Sequence, residues 1–76
     1  MAEKNFGLIE RFGEQLAKVR GQKGLSLRQL SQRCNIGHDQ ISRIENGKAN
    51  ITLLTLFDLA EGLEVHPKKL LEFKLE

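Results

Sequence analysis

An all-α fold of five short helices is predicted by three observations. Apolar residues recur at steps of three and four along most of the chain. Residues that cap or break helices fall between those stripes. No stretch alternates with period two for long enough to form a strand. The 76 residues make one small domain. Its expected division is a flexible N-terminal arm over 1–7 and a single folded unit over 8–76.

Residues 1–7 (MAEKNFG) are polar and end in glycine, which reads as a loose arm. Ile9, Phe12, Leu16 and Val19 then form the stripe of a first helix from Leu8. Gly13 inside it lowers helix propensity by roughly 1 kcal/mol relative to alanine. Gly21 and Gly24 are expected to supply its C-terminal cap. Ser26, with Gln29 three residues on, has capping-box spacing and opens a second helix over about 26–34. Leu27, Leu30 and Cys34 are its apolar face. Asn35 and Gly37 tolerate left-handed backbone and predict a tight turn. A third helix starts near His38, buries Ile41 and Ile44, and stops at Asn46-Gly47. Thr52 caps a fourth, whose stripe is Leu53, Leu56, Leu59, Ala60 and Leu63. Pro67 suits the first turn of a fifth, with Leu70 and Leu71.

Composition narrows the function classes. The one cysteine, Cys34, argues against a disulfide scaffold and a zinc-finger ligand set. It reads as a packing residue. Cys34, His38 and His66 lack ligand spacing, so no metal or other cofactor is expected. No apolar run approaches the ~18 residues of a membrane span, and no signal-peptide core precedes the first helix. A cytoplasmic protein is expected. No activated nucleophile, phosphate-cradling loop or paired carboxylates support catalysis, so the chain is read as no enzyme. Charge is more informative by position than in total. The chain is +2. Residues 17–50 hold Lys18, Arg20, Lys23, Arg28, Arg33, Arg43 and Lys48 against Asp39 and Glu45. The first sixteen residues and the last twenty-six are net acidic. A one-sided positive field suits a polyanion, because each phosphate contact releases a counterion.

The middle pair of helices carries the functional signal. Two short helices joined by a short turn have helix-turn-helix geometry. Ser31 is small where the helices cross, and Leu30, Ile36, Ile41 and Ile44 anchor them. The face opposite Ile41 and Ile44 carries His38, Asp39, Gln40, Ser42 and Arg43, all polar. A polar outer face is also usual for a surface helix, so spacing alone leaves both readings open.

The order of KGLS at 23–26, ISRIENGK at 41–48 and TLLTLFDLAEGL at 52–63 decides more. The stretch from Phe12 to Leu71 resembles the lambda-repressor-like (Cro/cI-type, xenobiotic-response-element) helix-turn-helix family. The resemblance implies a compact five-helix bundle that binds duplex DNA, usually as a dimer. It puts helix 27–34 across the phosphate backbone and helix 38–45 in the major groove. His38, Asp39, Gln40 and Arg43 become the expected base contacts. Arg28, Gln29, Ser42, Asn46 and Lys48 become the expected backbone contacts. Arg20 and Glu45 match a structural salt bridge between the first and third helices. Three positions depart from the family pattern. Leu27 stands where a polar phosphate contact is usual, Asn35 where the turn usually has glycine, and Ile51 where proline is frequent. Arg43 has the reach for guanine O6 and N7, a contact that discriminates by ~1–3 kcal/mol. Asp39 repels phosphate, so it must accept from a cytosine amino group or orient Arg43.

Leu54 falls off the core face of the fourth helix, and Phe57 is nearly in line with it. With Leu71, Phe73 and Leu75 they form the expected C2 dimer interface. The combined expectation is a small dimeric repressor or autoregulator reading a palindromic operator, without an added ligand or catalytic domain. The rival is an interaction module on the same fold, binding a toxin or RNA polymerase.

Overall fold

Phe12, Leu16 and Val19 draw α1 (Leu8–Gln22) onto the rest of the chain. The structure is a computed structural model that describes residues 7–74. After α1 come α2 (Leu27–Ser31), α3 (His38–Glu45) and α4 (Leu53–Leu63). Each contributes to one apolar core. Leu16 and Val19 of α1, Leu30 of α2, Ile41 and Ile44 of α3, and Leu59 and Leu63 of α4 are fully buried, as is Leu70. Full burial of such a side chain stabilises by about 2 kcal/mol each, as an upper estimate.

Local chemistry sets the helix ends. The Ser26 hydroxyl accepts the Gln29 N–H at 3.0 Å, and Gln29 Oε1 accepts the Ser26 N–H at 2.8 Å. Thr52 Oγ1 accepts the Thr55 N–H at 3.1 Å and starts α4. The C-termini of α1, α3 and α4 share one paired-bond motif, in which a left-handed residue lets the next N–H turn back to a carbonyl five residues earlier. Leu25 bonds Arg20, Lys48 bonds Arg43, and Val65 bonds Ala60. Gly24 and Gly47 supply the left-handed residue in the first two, each at φ +71°. Glu64 supplies it in the third at φ 59°, where a side chain is disfavoured.

Four expectations change. There are four α-helices among the described residues, not five. The expected fifth, Pro67–Leu71, is a 3-10 helix. The Lys69 N–H closes on the His66 carbonyl three residues back at 2.9 Å, which is 3-10 spacing, and the buried Leu70 holds the segment in place. The second helix ends at Ser31 rather than residue 34. Asn35 then gives its N–H to Asp58 of α4 at 3.0 Å instead of to a helical carbonyl. Neither Asn35 nor Gly37 is left-handed, because six residues share the bend and no single one must reverse the chain. Gly21 stays inside α1, and Gly24 alone makes the left-handed turn after it. Residues 1–6 of the expected arm and Leu75 lie outside the described residues.

Gly13 has a purpose that its helix propensity hides. A Cβ there would sit against the Ile44 carbonyl oxygen and 2.7 Å from that of Glu45. The missing side chain lets the last turn of α3 lie directly on α1. The buried Gln15 adds a polar tie, donating its amide to the Lys69 carbonyl at 2.8 Å.

Candidate nucleic-acid interface

The outer face of α3 is built from the inside. Ile41 and Ile44 are fully buried, so the helix cannot roll about its axis without exposing them. Asp39, Gln40 and Arg43 are thereby turned to solvent, while His38 and Ser42 are half-buried at the edges. Arg28 and Gln29 of α2 are exposed, as are Asn46 and Lys48 beyond the end of α3.

Several of these groups are already engaged. Arg43 Nη2 donates to the Lys48 carbonyl at 3.1 Å, leaving further guanidinium N–H donors for another acceptor. Asn46 Nδ2 donates to the Ser42 carbonyl at 2.9 Å. Gln29 spends its carbonyl oxygen on the capping box and keeps its amide donors. Asp39 Oδ1 lies 3.2 Å from His38 Nδ1, so Asp39 faces His38, and Arg43 is oriented by Lys48 instead.

Arg20 and Glu45 lie behind this face. Arg20 Nε and Nη2 meet the two Glu45 oxygens at 2.6 and 2.9 Å, and Nη1 donates to the Leu25 carbonyl at 2.9 Å. The side chains are only 21% and 9% exposed, so both charges are spent inside the fold. The Glu45 hydrogen bond raises the Arg20 pKa above its ordinary value, against the lowering effect of burial. The basic groups facing solvent in this region are Lys18, Lys23, Arg28, Arg33, Arg43 and Lys48.

The apolar residues expected at a dimer interface do not gather in one place. Leu54 and Phe57 are 82% and 53% exposed and border a depression shared with Val65 and Pro67. Leu71, half exposed, and Phe73, packed against the core, border a separate groove with Leu8, Ile9 and Leu53. Burial raises the pKa of the half-buried Cys34 thiol, which packs against the core. Among the described residues no group of His, Cys, Asp and Glu is placed to hold a metal ion. No helix there is long and apolar enough to cross a membrane.

Residues 16–70 match the helix-turn-helix family. The chain belongs to that family. Its match covers the end of α1, the α2–α3 pair, α4 and most of the 3-10 helix. This helix-turn-helix chain is similar to the uncharacterized HTH-type transcriptional regulator y4dJ of Sinorhizobium fredii, with 34% identity over 53 residues, 70% of this chain and 69% of that one. It is similar to the control protein C.BamHI of Bacillus amyloliquefaciens, with 33% identity over 63 residues, 82% of this chain and 78% of that one. Its structure superposes on the restriction-modification controller protein C.Esp1396I, solved as a tetramer with its natural 35 base-pair operator. The TM-score is 0.74 and the identity 27%, over 86% of this chain and 96% of that one.

Sequence reasoning missed the close approach at Gly13, the Asp58–Asn35 tether and the left-handed Glu64. Spacing carries no signal for the last two. An isolated glycine in a helical stripe does hint at close packing.

Proposed function

We propose that this chain is a sequence-specific double-stranded-DNA-binding transcriptional regulator, acting in the cytoplasm as a homodimer. The carrying observation is α3, locked by two fully buried isoleucines and showing solvent a face without an exposed hydrophobe. Family membership and the operator complex of C.Esp1396I support the same reading. In it, His38, Asp39, Gln40 and Arg43 read base edges. Arg28, Gln29, Ser42, Asn46 and Lys48 meet phosphates and set the register. Arg20 and Glu45 brace α3 against α1. Leu54 and Phe57 seat a second copy, and reading half-sites one DNA turn apart requires the two α3 helices to lie about 34 Å apart.

Selection from a random duplex library at near-physiological salt tests it. Enrichment of a two-fold symmetric site with half-sites one turn apart supports the reading. Weak, salt-sensitive binding without enrichment refutes it and favours a protein partner at the exposed leucines.

A further inference from the structure

The start of α3 has no side-chain cap of its own. α2 and α4 start on Ser26 and Thr52, whose hydroxyls accept N–H groups, whereas Gly37 at the start of α3 offers nothing. Arg20 and the close approach at Gly13 hold the far end of α3 on α1, so at its start the preceding turn is what remains to fix the chain. Two residues before Gly37, Asn35 gives its backbone N–H to Asp58 Oδ2 at 3.0 Å, and its side-chain amide lies 3.5 Å from Oδ1. Asp58 belongs to α4. It shares one stripe with Leu54 and Glu61, with Phe57 beside it, and all four border the same depression as Asn35.

We infer that Asp58 is a positioning residue for DNA recognition: from the exposed stripe of α4 its carboxylate holds the Asn35 N–H and so sets where the recognition helix begins. The inference rests on the proposed DNA reading and extends it to a residue that touches no DNA. Asp58 is an anion in a protein that must approach phosphates, so its charge by itself weakens DNA binding. The hydrogen bond acts in the opposite direction, on selectivity.

The test compares D58A with D58N on the full chain. Asparagine removes the charge but keeps an oxygen able to accept the Asn35 N–H, whereas alanine removes both. Three quantities are read: affinity for the selected operator, affinity for random duplex, and amide hydrogen exchange at Asn35 in the free protein. Circular dichroism fixes the folded fraction of each variant. D58A is expected to lose about tenfold in operator-over-random preference, with random binding unchanged or tighter. Its Asn35 amide exchanges faster. D58N keeps selectivity and Asn35 protection close to those of the wild type. Equal behaviour of D58A and D58N would overturn the inference and leave a charge effect only. Wild-type selectivity and protection in D58A would also overturn it. If the wild-type chain itself selects no duplex, the DNA reading falls first and the inference with it.

Discussion

Gly13→Ala should destabilise this protein, although it removes a glycine from the middle of a helix. Helix propensity alone gives a gain of roughly 1 kcal/mol. The structure reverses the sign. The new Cβ would press on the Ile44 carbonyl oxygen and lie 2.7 Å from the Glu45 oxygen. Those are backbone atoms of a helix anchored by buried isoleucines, so neither can turn aside as a flexible side chain would. Overpacking of this kind costs about 3 kcal/mol at the upper end of its range. The net loss is about 2 kcal/mol, or roughly 10 °C in Tm for a domain of this size. Gly21→Ala is the internal control. It lies in the same helix, but a Cβ there meets nothing within 4 Å, so it should stabilise by up to about 1 kcal/mol. Urea denaturation of both variants, followed by circular dichroism, gives the comparison. With a slope near ~1 kcal/mol/M, the two midpoints should lie about 3 M apart, on opposite sides of wild type. A stabilised Gly13→Ala, or shifts of the same sign, would refute the close-approach argument.

Glu64→Gly should stabilise by about 1 kcal/mol, read from the urea midpoint, because it relieves the left-handed backbone at φ 59°. Glu45→Ala strands the Arg20 guanidinium in a mostly buried position and should destabilise by about 3 kcal/mol, measured the same way. The Cys34 thiol, its pKa raised by burial, should react with a thiol reagent at neutral pH more slowly than free cysteine, and match it once urea unfolds the chain. A free-cysteine rate in the native protein would contradict that burial.

Periodicity placed the apolar residues that fix α1, α3 and α4, because burying one face of a helix demands spacing of three and four. Ser26 and Thr52 were legible as caps because their bonds span only three residues. The rest depended on distant partners. α2 stops at Ser31 as the chain beyond it is drawn to Asp58, twenty-three residues on from Asn35. Pro67 suits the first turn of either kind of helix, so spacing could not separate the 3-10 segment from an α-helix. The polar residues of α3 were identifiable as a candidate face, yet their engagement was not: Lys48 holding Arg43 and Ser42 holding Asn46 depend on how the helix ends. Leu54 and Leu71 both read as surplus apolar residues, and only the path of the chain assigns them to separate depressions.

In the proposed function α3 reads base sequence while the residues around it hold phosphates. The direct measurement compares Arg43→Ala and Lys48→Ala on the selected operator and on random duplex at one fixed salt concentration. Arg43→Ala should reduce operator-over-random preference by about tenfold or more, the loss of a contact that discriminates by ~1–3 kcal/mol, with random binding only slightly weakened. Lys48→Ala should weaken both duplexes alike and flatten the salt dependence by about one counterion. Equal losses on operator and random DNA for both variants would contradict the account.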